Sequence, residues 1–175
     1  MKWLRRIQVG DRPFMTRPET SRYVNHRPDG REQWFNLELE PNSVITRPSG
    51  GQKLPGRGFY EITGLAWSGG GAIRRVEVST DGGRTWKDAQ LQEPAHRMAY
   101  TLFRFPWTWN GEEAGLQSRS TDEVGQVQPT LAEFSKVFGV SPDYWLKSEA
   151  SVGHFNGIQP WKVTPDGSVH NAMFS

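Results

Sequence analysis

The chain has 175 residues, enough for one domain with a real core, and 35% of them are hydrophobic. It contains no cysteine, which excludes disulfides, thiolate metal ligands and a cysteine nucleophile within this sequence. The net charge is only +2 and the arginines lie in short clusters, so nucleic-acid binding is not predicted. No stretch is long and apolar enough to predict a membrane span.

The composition is typical of a domain built from many short strands. Nineteen glycines and twelve prolines are scattered at short intervals, which indicates frequent turns. The core must depend on large side chains, and eight Trp, nine Phe and four Tyr supply them. This balance favours a β-sandwich or barrel over a helical bundle.

The N-terminal part of the chain predicts a strand followed by an irregular arm. Residues 2–9 predict a short apolar-basic strand that begins without a preceding turn or cap, which indicates truncation. Residues 10–42 are rich in prolines, which remove backbone donors, and are predicted to be an arm or linker lying over a neighbouring surface. Within this arm, Thr16 is expected to cap a helical turn through residues 21–23, and residues 34–39 predict a strand.

A strand with two unlike faces is predicted near the middle of the chain. Val76 and Val78 fall on one side of it, and Arg75, Glu77 and Ser79 fall on the other. This period of two predicts one buried face and one solvated face.

The remaining elements complete an all-β pattern with one helix. Thr130 and Glu133 match a capping box, and apolar residues recur at helical spacing through residues 131–139. The pattern predicts an immunoglobulin-like (E-set) β-sandwich with an irregular N-terminal arm and one short helix. The other predicted elements are strands at 43–46, 59–67, 99–105, 116–121, 161–163 and 169–172, an aromatic turn at 106–111 and a helical turn at 143–147.

No catalytic or metal-binding constellation is visible in the sequence. The four histidines are not spaced as metal ligands, and the glycines of residues 69–71 precede a strand, not a helix that would bind phosphate. Asp81, Asp122 and Glu123 are candidate cation ligands, but Asp-Gly turns are far commoner than calcium sites. We therefore assign no catalytic residue and no metal ligand.

Residues 79–86 match the Ser-x-Asp-x-Gly-x-Thr-Trp hairpin of sialidase-like propellers. Asp81 is expected to bond backbone amides, and Trp86 is expected to pack over the hairpin. A propeller would repeat this motif in each blade, whereas the chain contains it once. The propeller remains a rival to the sandwich, and the motif is expected to be structural in either fold.

Several motifs, taken in order, resemble those of a known family. They are similar to the C-terminal dimerisation domain of the sulfite oxidase family of molybdopterin oxidoreductases. Residues 2–7, 43–46 and 155–159 favour the SoxC-like branch, the molybdenum subunit of sulfane dehydrogenase, whereas residues 132–152 look longer and more divergent. The motifs are Lys-Trp-Leu at 2–4, Gly-x-Ala-Trp-Ser-Gly at 64–69, Val-Glu-Val-Ser-x-Asp-Gly-Gly-x-Thr-Trp at 76–86, Arg-Ser-Thr-Asp at 119–122 with Gln128-Pro129, and Asn-Gly-Ile-Gln-Pro-Trp at 156–161.

The resemblance implies that residues 1–9 are the last strand of an absent molybdopterin domain and that residues 43–175 are a dimerisation domain that forms a homodimer. It also implies that molybdopterin and the molybdenum-ligating cysteine belong to an upstream catalytic domain. This cysteine-free chain is therefore expected to be inactive alone and to hold no cofactor by itself. The intact enzyme is expected to oxidise a sulfur substrate at molybdenum, to pass electrons to a cytochrome c-type subunit, and to reside in the periplasm.

Two residues receive a role from the resemblance. Lys2 matches the family lysine of the pterin-binding segment, where a cation pairs with the anionic phosphate of the cofactor. Asn156 matches the position at which some sulfite oxidases place an arginine at the edge of the substrate pocket. An asparagine does not neutralise sulfite, so this difference fits another substrate, such as sulfur carried on the thiol of a partner protein.

A different class of function also fits the composition. A stand-alone β-sandwich would bind carbohydrate or peptide on an aromatic platform of Trp107, Trp109 and Trp67. Such a module is expected to begin at a turn near Pro41, without the N-terminal strand.

Overall fold

The chain folds into two packed antiparallel sheets with a small separate hairpin. The structure is a computed structural model that describes residues 2–17, 24–34, 37–147 and 155–173. Within these segments, no helix is long and apolar enough to cross a membrane. The strands are β1 (Val24–His26), β2 (Glu32–Trp34), β3 (Asn42–Arg47), β4 (Gly58–Trp67), β5 (Ile73–Ser79), β6 (Lys87–Asp88), β7 (Gln90–Leu91), β8 (Thr101–Trp109), β9 (Ala114–Asp122), β10 (Trp161–Val163) and β11 (Val169–Asn171), and the helices are α1 (Leu131–Phe138) and α2 (Tyr144–Lys147).

The core lies between a four-stranded and a five-stranded sheet. The four-stranded sheet has the order β3-β4-β8-β7, the five-stranded sheet has the order β11-β10-β9-β5-β6, and β1 pairs with β2. Both large sheets contribute apolar side chains to one cluster, so the predicted all-β sandwich is confirmed. Its buried members include Ile45, Ile62, Ala66, Val76, Val78, Phe103, Trp107, Trp109, Leu116, Val163 and Val169.

The central pair of the four-stranded sheet contains the strands predicted at residues 59–67 and 99–105. β4 and β8 pair from Gly58 opposite Trp109 to Ala66 opposite Thr101. Ile62, Gly64 and Ala66 point into the core and are buried. The intervening residues of β4 therefore form part of the outer surface of the sandwich.

The predicted solvated face of β5 is wrong at two positions. Glu77 and Ser79 are both buried, although they alternate with Val76 and Val78. The carboxylate of Glu77 is compensated by the guanidinium of Arg119, and the Ser79 hydroxyl accepts a hydrogen bond from a backbone amide at 2.8 Å. Hydrogen-bonding and charged partners of this kind offset the free-energy cost of burying polar groups.

The predicted aromatic turn at residues 106–111 is also wrong over most of its length. β8 continues through Pro106 to Trp109 and keeps its pairing with β4. On its other side, β7 pairs only with Phe103 and Arg104. Beyond that point β8 has an open edge, where a proline is tolerated because the missing amide hydrogen costs no ladder hydrogen bond.

The described N-terminal residues lack the predicted strands. Residues 2–9 form no strand in this structure. Because a strand needs a paired neighbour, their assignment as the last strand of another domain stays a prediction. Residues 37–39 are likewise not in a strand, and the local pairing lies instead in the hairpin of β1 and β2. The predicted helical turn at residues 21–23 lies outside the described residues.

The predicted helix and its cap are confirmed. Thr130 Oγ1 accepts a hydrogen bond from the backbone N–H of Glu133, while Glu133 accepts one from the backbone N–H of Thr130. Gly139 ends α1 in the left-handed conformation. The buried face of α1 carries Phe134, whose ring lies 4.7 Å from that of Phe155. α2 coincides with the predicted helical turn at residues 143–147.

Candidate functional site

The outer face of the five-stranded sheet carries ion pairs between residues of this chain. Arg119 donates two hydrogen bonds to the Glu77 carboxylate, at 2.7 and 3.1 Å, and a nitrogen of Arg75 lies 3.0 Å from the same group. The guanidinium of Arg119 also stacks on the ring of Trp86, 4.4 Å from its centroid. The buried Glu77 carboxylate on this face is therefore neutralised by arginines of the same chain.

The turn at residues 79–86 is structural. Asp81 accepts hydrogen bonds from the backbone N–H of Thr85 at 2.9 Å, from the Thr85 hydroxyl at 2.6 Å and from the Ser79 hydroxyl at 2.8 Å. These hydrogen bonds, led by the one from the Thr85 hydroxyl, hold the pKa of Asp81 well below its usual range. The turn connects β5 and β6 of a two-sheet sandwich, so the propeller interpretation is wrong.

The outer face of the four-stranded sheet carries a group of apolar side chains. Val44, Leu65 and Leu102 lie opposite one another on β3, β4 and β8 and form one row across three strands. The ring of Trp67 meets that of Tyr100 edge-on at 5.3 Å. At the far end of β4, Phe59 is 68% exposed. We refer to these residues as the outer apolar face: Val44, Phe59, Leu65, Trp67, Tyr100 and Leu102.

An apolar cleft adjoins this face at the end where β4 stops. Its lining includes Leu37, Leu39, Trp67, Met98 and Tyr100. The segment that carries the two leucines is held close to the turn after β4, because the backbone N–H of Gly69 donates to the carbonyl of Leu39 at 2.7 Å. The cleft thus extends the outer apolar face beyond the strands.

Asn156, the predicted substrate-pocket residue, is buried next to the start of β3. Its Nδ2 donates to the carbonyl of Pro41 at 3.2 Å, and the residue is 5% exposed. It lines a cleft of about 280 Å³ together with Asn25, Glu40 and Phe134. The side chain therefore has a structural contact within this chain, and its role at a substrate pocket remains a prediction.

A buried polar network positions the segment that contains Asn156. Gln128 accepts a hydrogen bond from the Ser43 hydroxyl at 2.6 Å and donates to Asn42 Oδ1 at 2.9 Å. Asn42 in turn donates to the carbonyl of Phe155 at 3.1 Å. The Gln-Pro motif of the sequence thus includes the residue that connects β3 to the loop before β10.

Lys2 lies apart from this network. It is exposed in residues 2–10, which form neither helix nor strand, whereas the side chain of Asn156 donates to Pro41. The structure thus does not bring the two predicted site residues together by direct contact, and the pterin role of Lys2 remains a prediction. Among the described residues, no group of three or more His, Asp and Glu side chains is placed to bind a metal ion.

The predicted tryptophan platform is wrong. Trp107 and Trp109 are only 9% and 3% exposed and belong to the core. The indole N–H of Trp109 donates to the carbonyl of Glu112 at 2.7 Å, so its polar edge is already satisfied. Trp107 pairs with Tyr60, near the start of β4, whereas Trp67 is the last residue of β4. Trp67 therefore lies at the opposite end of that strand.

Sequence reasoning missed the outer apolar face, although β4 carried a signal for it. Leu65 and Trp67 are apolar, and so are Ile62 and Ala66 on the opposite side of the same strand. A strand that is apolar on both sides is typical of a sheet covered on both faces. β4 was predicted as a strand, but the apolar residues on its second side were not interpreted as a sign of a covered surface.

A family model decides the relationship. The Mo-co oxidoreductase dimerisation domain matches residues 33–152. The chain belongs to this family. The predicted membership of the sulfite oxidase family of molybdopterin enzymes is therefore confirmed.

Two curated relatives and one solved structure illustrate the range of the family. Sulfite oxidase of Gallus gallus is 33% identical over 159 residues, covering 83% of this chain and 34% of that protein. A nitrate reductase [NADH] of Solanum lycopersicum is 30% identical over 188 residues, covering 87% of this chain and 19% of that protein. The crystal structure of the sulfane dehydrogenase SoxCD from Paracoccus pantotrophus is similar at a TM-score of 0.80 and 41% identity, covering 91% of this chain and 39% of that chain. The chain thus spans about a third or less of the length of these curated relatives.

Proposed function

We propose that this dimerisation domain holds two copies of a SoxC-like sulfane dehydrogenase together as a homodimer. The observation that carries the proposal is the likeness to SoxCD, which is 41% identical over 91% of this chain, whereas the chicken sulfite oxidase is 33% identical over 83%. The asparagine at position 156 supports a substrate other than free sulfite, since an amide offers hydrogen bonds but no positive charge.

The cofactor of the intact enzyme requires residues that this chain does not supply. The chain has no cysteine and therefore offers no thiolate to molybdenum. Lys2 is an exposed cation able to pair with a pterin phosphate, but it belongs to a segment that forms neither helix nor strand. These residues do not fit a complete cofactor site, so we derive no catalytic step within this chain.

The intact enzyme therefore needs other parts for turnover. A molybdenum domain oxidises a sulfur substrate, and a cytochrome c-type subunit in the periplasm accepts the electrons. The present domain contributes subunit pairing and the buried Asn156 segment at the edge of the substrate pocket. It is inactive alone.

The pairing function is tested by the mass of the purified chain. Sedimentation velocity over a range of concentrations is expected to show a dimer that persists at low micromolar concentration. A monomer at every concentration would overturn the proposal that this domain pairs by itself.

The substrate assignment is tested in the intact enzyme by the substitution Asn156→Arg. The added positive charge is expected to lower the KM for free sulfite and to impair oxidation of a thiol-bound sulfane. The conservative Asn156→Gln serves as a control, because it keeps the amide without adding charge. Equal activity of all three proteins on both substrates would contradict a role of Asn156 in substrate choice.

A further inference from the structure

The outer apolar face has the composition of a covered surface. The row of Val44, Leu65 and Leu102 crosses three strands without a charged residue, and Leu102 is 44% exposed. An antiparallel sheet that faces water normally alternates apolar and polar residues so that the solvated side is polar. A contiguous apolar patch on such a sheet marks an interaction site.

The neighbouring cleft presents its apolar side chains on a constrained backbone. Leu37, Met98 and Tyr100 are 80%, 70% and 69% exposed. On one side, a Cβ atom at Gly69 would lie only 2.7 Å from the backbone nitrogen of Leu39, so the two segments touch at their backbones. On the other side, Arg97 forms an ion pair of 2.8 Å with Glu123 and anchors the loop that carries Met98. These side chains are therefore held outward, away from the core of their own chain.

The charges beside the apolar row suit pairing of this face with itself. Glu61 and Arg104 lie on the same outer surface, 3.8 Å apart, and both are about half exposed. A two-fold interface requires one patch to be complementary to a copy of itself, and an exposed patch that carries both signs of charge can satisfy this. On the five-stranded sheet, the Glu77 carboxylate is instead buried between Arg119 and Arg75 and is less available to a second copy.

We infer that the outer apolar face is the surface through which two copies of this chain pair, sheet against sheet. The inference rests on the proposed function and names the surface that performs it. A standard interface buries about 800 Å² on each partner, and a face roughly 30 Å long and about 14 Å wide across three strands supplies about half of that area, which the adjoining cleft extends. The row of Val44, Leu65 and Leu102 forms the dry centre, and Glu61 and Arg104 form part of the polar rim.

The substitution Leu102→Glu tests the surface, with Val137→Glu as a matched control. Both residues are about half exposed, but Val137 lies on α1 and outside the outer apolar face. Sedimentation velocity is expected to show a dimer for wild type and for Val137→Glu. Leu102→Glu is expected to raise the dimer dissociation constant roughly a hundredfold, because each dimer buries two new carboxylates.

The outcomes separate the two proposals. If wild type is a dimer and Leu102→Glu pairs just as tightly, the surface is wrong and the pairing function stands. If wild type is monomeric at every concentration, both proposals fail. If Val137→Glu abolishes pairing and Leu102→Glu does not, the pairing surface includes α1 and the outer apolar face is excluded.

A second measurement avoids any loss of folding. The chain has no cysteine, so Leu102→Cys and Val137→Cys each place a single thiol in an otherwise unreactive background. The alkylation rate at position 102 is expected to fall at least tenfold as the concentration rises through the dimer dissociation constant, whereas the rate at position 137 stays constant. A rate at position 102 that does not depend on concentration in a dimeric sample would overturn the inference.

Discussion

The ring of Phe103 lies where a side chain of Gly64 would stand. The two residues are directly opposite on β8 and β4, and a Cβ atom at position 64 would collide with this ring and with the carbonyl oxygen of Val44. Phe103 is fully buried, so its ring has no free space into which to move. The glycine of the Gly-x-Ala-Trp-Ser-Gly motif is therefore required by packing, because only a hydrogen atom leaves room for this ring.

The first prediction concerns this contact. Gly64→Ala is expected to lower the free energy of unfolding by about 3 kcal/mol, since overpacking a filled core forces side chains and backbone apart. Urea unfolding followed by tryptophan fluorescence measures the change. Gly56→Ala is the matched control, because a Cβ at that position meets nothing within 4 Å. Equal losses in the two variants would contradict the packing explanation.

The buried carboxylate of Glu77 leads to a second prediction. Glu77→Gln leaves Arg119 without its counter-charge, while Arg75 keeps its ion pair with Asp88, and the substitution is expected to cost about 2 kcal/mol of unfolding free energy. The control is Glu113→Gln, which breaks an exposed pair with Lys162 at 2.9 Å and is expected to cost less than about 0.5 kcal/mol. Urea denaturation of both variants in the same buffer provides the comparison. A loss in Glu113→Gln as large as that in Glu77→Gln would show that burial of the pair has no energetic consequence.

The third prediction is a pH dependence that arises from two turns. Hydrogen bonds from Thr85 and Ser79 lower the pKa of Asp81, and hydrogen bonds from Thr164 and Ser168 lower the pKa of Asp166. A carboxyl group with a lower pKa in the folded state stabilises the protein above its unfolded pKa of about 3.9, and this stabilisation is lost as the pH falls.

The double substitution Asp81→Asn with Asp166→Asn tests this linkage. Compared with wild type, the variant is expected to be less stable at pH 7 and to lose less stability on acidification below about pH 5. Urea unfolding midpoints measured across that range give both curves, which are expected to converge at low pH. Parallel curves would contradict the assignment of acid sensitivity to these two turns.

The fourth prediction concerns the cap of α1. Thr130→Ala removes the side-chain acceptor for the backbone N–H of Glu133 and is expected to cost about 1 kcal/mol. Hydrogen exchange of the amides in the first turn of α1 is expected to accelerate in this variant. The milder Glu133→Gln keeps an acceptor for the N–H of Thr130 and is expected to cost less. Unchanged exchange in Thr130→Ala would mean that packing of Phe134 alone determines the stability of the helix.

Local patterns were sufficient to predict several elements of the fold. The capping box at Thr130 and Glu133 specifies the start of α1 because its hydrogen bonds involve residues only three positions apart. The turn at Asp81 is determined in the same way by its immediate neighbours. The strands at the end of the chain were also assigned within one or two residues, since their alternation and turns are short-range signals.

Local patterns failed wherever the partner lies far away in sequence. Glu77 looked solvated because Arg119 is 42 residues distant and approaches only when β5 pairs with β9. Trp107 and Trp109 looked like a turn because a proline precedes them, yet pairing with β4 extends the strand through both. The candidate pocket residue Asn156 was identified from a motif, but its contact with Pro41 was not predicted, because 115 residues separate the two.

The sequence by itself determined the all-β class, the capped helix, the turn at Asp81 and the family, because each of these depends on residue order and short-range geometry. Only the tertiary structure decided which surface is left apolar. Val44, Leu65 and Leu102 are distant in the chain and become one row only through the register of three strands. Register depends on long-range hydrogen bonds and on the fit of side chains such as Phe103 over Gly64, and neither is encoded in a local pattern.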